Sequence, residues 1–336
     1  MLNNNMTTEL LDVENLTVAF TTDNGSVKAV DNVSFSINKG ETVGLVGESG
    51  AGKSVTALSI PRLVPSPPSQ VENGSVFFKG QNLLELDIRL LRKIRGQSIG
   101  VIFQDPSTAL SPLHRVGRQM VEAVRMHRNI SKKEAWQLAE EWLVKVKIPD
   151  AAERMFAYPY ELSGGMQQRI MIAMALIQEP ELIIADEPTT ALDVTIQAQV
   201  FELIKEMKKS DTSMLLITHD MGVVWEMCDR VIVMYASQVI EEGTLDDIFL
   251  NAAHPYTKGL LESIPGPGKG RGERLTAIPG QVPSPAEYPE GCHFEERCSV
   301  SLERCKYEKP DMVSCSEGHT VSCWLISQNV HDSERL

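Results

Sequence analysis

Val43-Gly44-Leu45-Val46-Gly47-Glu48-Ser49-Gly50-Ala51-Gly52-Lys53-Ser54-Val55 is the stretch on which the fold turns. Thr42 to Val46 carries no charge, which predicts a short strand covered on both faces. Ala57, Leu58 and Ile60 continue the segment into a helix. Between strand and helix, Gly47 to Ser54 has the spacing G-x-x-x-x-G-K-[ST], that of a loop that cradles phosphate. Glycines let backbone N–H groups turn toward the phosphate oxygens, and the helix start adds its positive dipole end. Lys53 is then expected to neutralise β- and γ-phosphate oxygens, and Ser54 to ligate Mg²⁺.

Outward from this loop lie further unbroken apolar runs: Ile99–Phe103, Leu182–Ala185, Met214–Ile217 and Val231–Met234. Strands apolar on both faces belong in a parallel sheet with helices on either side, the α/β arrangement. Upstream, Leu10–Phe20 and Val27–Ile37 alternate apolar and polar residues around Thr22-Asp23-Asn24-Gly25, the pattern of a half-buried antiparallel pair. Ile196, Val200, Leu203, Ile204 and Met207 recur at helical spacing. Ser131-x-x-Glu134 is a capping box before Ala135, Leu138, Ala139, Trp142, Leu143 and Val146. Residues 105–178 hold no convincing strand and read as an inserted helical region. After Ile264 a Pro-Gly-rich stretch marks a linker, so residues 1–265 form the expected core and 266–336 a C-terminal extension.

A second chemical motif is Glu181-Leu182-Ile183-Ile184-Ala185-Asp186-Glu187, an apolar strand that ends in paired acids. Asp186 suits the Mg²⁺ shell, directly or through water, and Glu187 is placed to orient or deprotonate an attacking water. These two motifs establish a nucleoside triphosphate site without saying which kind.

Leu162-Ser163-Gly164-Gly165-Met166-Gln167-Gln168-Arg169 narrows the question. It resembles the signature motif of ATP-binding cassette (ABC) ATPases, and further motifs of that family follow in order. Gln104 in Ile102-Phe103-Gln104-Asp105-Pro106 resembles the Q-loop. Thr190-Ala191-Leu192-Asp193 resembles the D-loop, with Thr190 where serine is frequent. His219 in Ile217-Thr218-His219-Asp220 resembles the switch histidine. The resemblance implies a P-loop NTPase core of the α/β class with an antiparallel β subdomain, an inserted α-helical subdomain and a Cys-rich C-terminal extension. It also implies that Ser163, Gly164 and Gly165, with Gln167 beside them, complete the ATP site of a second subunit. Gln104 would join Ser54 and Asp186 around Mg²⁺, Asp193 would belong to the nucleotide site, and His219 would contact the γ-phosphate. Phe20 is the best candidate for stacking on adenine, with simple core packing as the alternative.

Composition narrows the class. The chain has 336 residues with Lys+Arg 32 against Asp+Glu 45, a net charge of −13. That balance argues against sequence-independent nucleic-acid binding, which needs a basic field. No apolar run approaches the ~18–20 residues that span a bilayer, and the start shows no basic-then-apolar leader, so a cytosolic chain is expected.

Asp186-Glu187-Pro188-Thr189-Thr190-Ala191-Leu192-Asp193-Val194-Thr195-Ile196-Gln197 and His254-Pro255-Tyr256-Thr257-Lys258-Gly259-Leu260-Leu261 carry the resemblance further, to the ATP-binding subunits of bacterial oligopeptide/dipeptide importers. One departure is Ser107-Thr108-Ala109-Leu110-Ser111-Pro112, where relatives often have Met-Thr-Ser-Leu-Asn-Pro; it leaves partner identity in doubt, not catalysis. The importer resemblance implies a second cassette subunit, identical or similar, two membrane permeases and an extracytoplasmic solute-binding protein. It places the chain at the cytoplasmic face of the membrane. Nickel, glutathione or another small solute is an alternative cargo, and a soluble switch acting on nucleic acid or a protein complex is the rival class.

Five of the six cysteines crowd the end of the chain. Cys292, Cys298, Cys305 and Cys323 supply four thiolates, enough for a [4Fe–4S] cluster or a tetrahedral Zn²⁺. The importer resemblance favours the iron–sulfur cluster; reduced thiols that merely pack the tail are the alternative, and Cys315 stands outside the set.

Overall fold

A computed structural model describes residues 9–23, 25–189, 194–263 and 278–327. The strands in chain order are β1 (Glu9–Thr22), β2 (Gly25–Asn38), β3 (Thr42–Val46), β4 (Ser69–Phe78), the two-residue β5 (Gln81–Asn82), β6 (Ile99–Ile102), β7 (Leu182–Asp186), β8 (Ser213–Ile217), β9 (Arg230–Tyr235), β10 (Gln238–Thr244), β11 (Met312–Ser316) and β12 (His319–Ser322). The chain divides into two compact units, each assembled from separated segments. One comprises Met1–Leu10, Ile37–Thr42 and Asn82–Ile217; the other comprises Leu11–Ser36, Val43–Gln81 and Thr218–Leu336.

In the first unit, β6, β7 and β8 run parallel. Ile99 is opposite Leu182 and Ile102 opposite Ala185; Leu182 is opposite Ser213 and Asp186 opposite Ile217. Every residue of β7 and β8 is buried, as expected of strands covered on both faces. The region between β6 and β7 is helical, as its sequence predicts: Pro106–Ala109, Val116–Arg125, Lys132–Lys145, Ala151–Arg154 and Gly164–Leu176. The capping box forms: Glu134 N–H donates to Ser131 Oγ at 3.2 Å and Ser131 N–H to Glu134 Oε2 at 2.8 Å. Ala135, Ala139, Trp142, Leu143 and Val146 turn inward behind it.

In the second unit, β1 and β4 pair antiparallel from Leu11 opposite Phe78 to Phe20 opposite Ser69, with β2 on the other side of β1. β3 lies parallel to β9, Val43 opposite Arg230 and Val46 opposite Val233. β9 returns as β10 through a tight turn in which Ala236 (φ 44°) and Ser237 (φ 71°) both adopt the left-handed conformation. Two positive φ angles match the right-handed twist of a two-residue hairpin, although glycine or asparagine usually fills such places. The hairpin β11–β12 extends this sheet: Glu241 of β10 is opposite Val321 of β12. A fully buried Glu241 would be prohibitive alone, but it accepts hydrogen bonds from Ala253 and His254 N–H groups and faces His319 Nε2 at 2.9 Å.

Candidate phosphate site and catalytic turn

The loop Gly47–Ser54 joins β3 to the helix Lys53–Ser59, the strand–loop–helix order expected. Two of its glycines are required by their surroundings. Gly47 (φ 151°) and Gly52 (φ 96°) lie in the left-handed half of backbone space, and a Cβ at either would run into a carbonyl, of Met234 or of Ala29. The turn therefore exists only because side chains are missing there, as in loops whose backbone N–H groups bind phosphate. Ser49 and Gly50 are exposed at the tip, Ala51 and Lys53 are buried, and Ser54 and Val55 are partly covered. Lys53 Nζ donates to the carbonyls of Gly47 (2.8 Å) and Glu48 (3.0 Å), so its ammonium already lies across the loop it is to serve. His219, in the same unit, is exposed ahead of Asp220, whose carboxylate caps the helix Met221–Met227. Phe20 is partly exposed at the end of β1, opposite Ser69.

In the other unit, the acids at the end of β7 stand apart in character. Asp186 is buried, 4% exposed. Glu187 takes a left-handed backbone (φ 43°), which costs a non-glycine residue energy and is typical of groups held for function. Its N–H donates to Ile217 O at 2.9 Å, and its Oε2 accepts from Gln104 Nε2 at 3.2 Å. The structure thus brings together two residues 83 positions apart, Gln104 and Glu187, that the motifs assign to one reaction.

The signature residues sit in this same unit. Ser163 is the N-cap of helix Gly164–Leu176, accepting from Met166 N–H at 3.4 Å. Ser163 and Gly164 are exposed, and a Cβ at Gly164 would meet nothing within 4 Å. Gln167, beside them, is held by its side-chain amide. Its amide donates to Pro159 O (2.9 Å) and Leu162 O (3.1 Å), bracing the turn that leads into the signature. Sequence reasoning passed over its neighbour Gln168, which is buried and donates to Pro188 O at 2.5 Å. That bond fastens the signature helix to the residue after Glu187. No motif or spacing marks it in the sequence, where it stands between Gln167 and Arg169. Asp193 lies outside the described residues.

The expected cysteine site finds no support in the geometry. Among the described residues no group of three or more His, Cys, Asp or Glu stands close enough to hold a metal ion, so the four-thiolate site is not assembled here. The four thiols do share one neighbourhood. Burial pushes Cys292 up to about 12, with the charges of Cys305, Cys323 and Cys298 adding to it. Burial likewise raises Cys298 and Cys323, again helped by neighbouring thiols. For Cys292, Cys298 and Cys323, burial and like-charged neighbours both favour the protonated thiol. The two histidines nearby are engaged elsewhere: His293 Nδ1 meets Ala236 O at 2.8 Å, and His319 pairs with Glu241.

A glycine-built phosphate loop after a buried parallel strand, with paired acids ending another, defines a P-loop nucleotide-binding protein of the mixed α/β class. Comparison with known proteins is more specific. Residues 30–190 match the family described as ABC transporter, and residues 240–305 the family described as oligopeptide/dipeptide transporter, C-terminal region. The chain is 50% identical over 323 residues to a probable peptide ABC transporter ATP-binding protein of Sinorhizobium fredii, covering 96% of each. It is 51% identical over 321 residues to the dipeptide transport ATP-binding protein DppD of Bacillus subtilis, covering 95% of this chain and 96% of that one. With the oligopeptide transport ATP-binding protein OppD of the same organism the identity is 48%, over 95% of this chain and 89% of that one. Among solved structures, the dimeric bacterial ABC transporter cassette MJ0796 superposes with a TM-score of 0.63 at 29% identity, covering 70% of this chain and 98% of the other. The chain belongs to the ABC transporter ATP-binding proteins, in the branch that carries the oligopeptide/dipeptide transporter C-terminal region.

Proposed function

We propose that this chain hydrolyses ATP to drive import of di- and oligopeptides. The observation that carries this reading is the match to peptide transport subunits over nearly the whole chain, C-terminal region included. In the reaction, Lys53 and the loop N–H groups bind the phosphates, with Ser49, Gly50 and Ala51 at the turn. Ser54, Gln104 and Asp186 are the proposed Mg²⁺ ligands; the bound ion supplies charge neutralisation to the β- and γ-phosphates. Glu187 orients the attacking water and accepts its proton, and His219 supports the γ-phosphate. Asp193 and Phe20 complete the proposed nucleotide contacts.

Ser163 and Gly164 are exposed with open space before them, which suits delivery of the signature turn to another subunit's nucleotide. ATP then holds two cassettes together, and hydrolysis removes the charge that held them. Among the described residues no helix is long and apolar enough to cross a membrane. Two permease subunits and an extracytoplasmic solute-binding protein complete the proposed importer, with this chain at the cytoplasmic face. Residues 105–178 form its proposed permease-facing helical part, and residues 266–336 its extension. Nickel or glutathione import uses the same machinery with different permeases; the rival reading as a nucleic-acid switch has no observation in its favour. Co-expression decides between them: permeases are expected to co-purify in detergent and peptides to stimulate ATP turnover, whereas ribosomes or DNA in their place would reject transport.

The cysteine tail remains a proposed seat for a [4Fe–4S] cluster or Zn²⁺, supported by the convergence of Cys292, Cys298, Cys305 and Cys323. The donor chemistry fits either, and no step of ATP hydrolysis passes through it. Chain purified without oxygen is expected to hold iron and acid-labile sulfide in equal amounts. Colourless protein with stoichiometric zinc would replace the cluster by Zn²⁺, and protein without either would leave the thiols as packing.

A further inference from the structure

The cysteine-rich extension reaches the phosphate loop through one side chain. Arg297 ends the short turn Glu295–Arg297, between Cys292 and Cys298. Its Nη1 donates to Glu48 Oε2 at 2.7 Å and its Nη2 to Glu48 Oε1 at 3.1 Å, a two-pronged pair with the second residue of the loop. Its Nε donates to Pro279 O at 2.8 Å, and its guanidinium lies 5.6 Å from the centre of the Tyr235 ring. The Arg297 side chain is 6% exposed and that of Glu48 31%. From the other side, Tyr256 Oη accepts the Glu48 N–H at 2.9 Å.

A second line of contact runs in parallel. His293 meets Ala236 O at 2.8 Å and Tyr288 Oη meets Ser237 Oγ at 2.9 Å, both on the left-handed hairpin turn. Ser237 N–H in turn donates to Ala51 O at 3.1 Å, inside the loop. Residues 288–297 therefore hold the loop at both Glu48 and Ala51, directly and through one intervening turn.

The electrostatic problem is Glu48 itself. A carboxylate on a loop that must receive a polyanion repels its ligand unless the charge is cancelled. A guanidinium paired through two parallel hydrogen bonds cancels that charge and fixes where the carboxylate points. Burial disfavours the charged guanidinium, but the hydrogen bonds to Glu48 and Tyr235 outweigh it, so it stays protonated.

We propose that Arg297 is a positioning residue for nucleotide binding: it neutralises Glu48 and holds the phosphate loop in shape, making the C-terminal extension a working part of the ATP site. The proposal rests on the reading that Gly47–Ser54 takes the phosphates of ATP.

The test is titration of the full chain with a fluorescent ATP analogue, alongside thermal unfolding without nucleotide. Arg297→Ala is expected to weaken binding about tenfold, roughly the effect of one uncompensated charge near the ligand. Adding Glu48→Gln to that variant is expected to recover most of the affinity, because the repelling charge is gone. A residue that merely stabilises the fold would lower the unfolding temperature and gain nothing from Glu48→Gln. Unchanged affinity in Arg297→Ala, or a double variant no better than the single one, overturns the proposal. Should Arg297→Ala fail to fold, Arg297→Gln keeps part of the side chain and one amide donor without the charge. It must show the same weakening, and wild-type affinity there overturns the proposal equally. If the native chain binds no nucleotide, the phosphate-loop reading fails and takes this proposal with it. If the native chain binds, Lys53→Ala does not, and Arg297→Ala binds like the native chain, only the role of Arg297 falls.

Discussion

Glu187→Gln is expected to bind ATP with near-native affinity and to turn it over about a hundredfold more slowly or worse, the usual loss when a positioned general base is removed. The geometry argues for a defect confined to chemistry. The backbone of Glu187 is fixed apart from its carboxylate: its N–H is held by Ile217 O, and its φ is already in the left-handed region. Glutamine inherits that backbone and keeps an oxygen that can accept from Gln104 Nε2. What it loses is the ability to take a proton from water. The substituted chain is therefore expected to stall with nucleotide bound, as a dimer on size-exclusion chromatography with ATP present. Single-turnover hydrolysis is the deciding measurement. Undiminished turnover would remove Glu187 from the reaction and leave its strained backbone without a role.

Lys53→Ala fails one step earlier. Lys53 Nζ is satisfied by the carbonyls of Gly47 and Glu48, and a bound phosphate oxygen would join or replace those partners. Truncation removes the one buried ammonium of the loop and strips both carbonyls of a donor. A charge-assisted hydrogen bond contributes about 1.5–3 kcal/mol, so ATP affinity is expected to fall roughly thirtyfold or more, with turnover falling alongside. Equilibrium binding checks this, and unfolding without nucleotide separates lost affinity from lost fold. Native-like binding by Lys53→Ala would show that the loop does not take the phosphates.

The two variants also mark what the amino-acid sequence made legible. Strands β3, β7, β8 and β9 were visible because each is an uninterrupted apolar run, and the phosphate loop and acid pair were visible because their chemistry is local. Strand β4 was missed: Gln70, Glu72, Asn73, Gly74 and Ser75 interrupt any alternation, and the strand is held by pairing with β1. Strand β10 was missed because Glu241 sits in its middle. That carboxylate is supported by the Ala253 and His254 N–H groups and by His319, 78 positions later, and no local pattern announces such partners. Gln168 and Arg297 escaped notice for the same reason. Each acts on a backbone or side chain remote in sequence, so neither belongs to a motif. The expected metal site is the reverse case. Cysteine spacing suggested a finished ligand set, whereas folding brings the thiols near one another without closing a coordination sphere.

The way the chain weaves between its two units has a consequence for recombination. The natural seams fall near 10/11, 36/37, 42/43, 81/82 and 217/218, whereas a cut at the Pro-Gly stretch after Ile264 would separate residues 218–263 from 278–327, which belong to a single unit. A chimera joined at that stretch to a sister subunit would graft a foreign tail beneath the native phosphate loop. Homologous subunits would therefore have to exchange loop and tail as a matched set, and drift in one would select for compensating drift in the other.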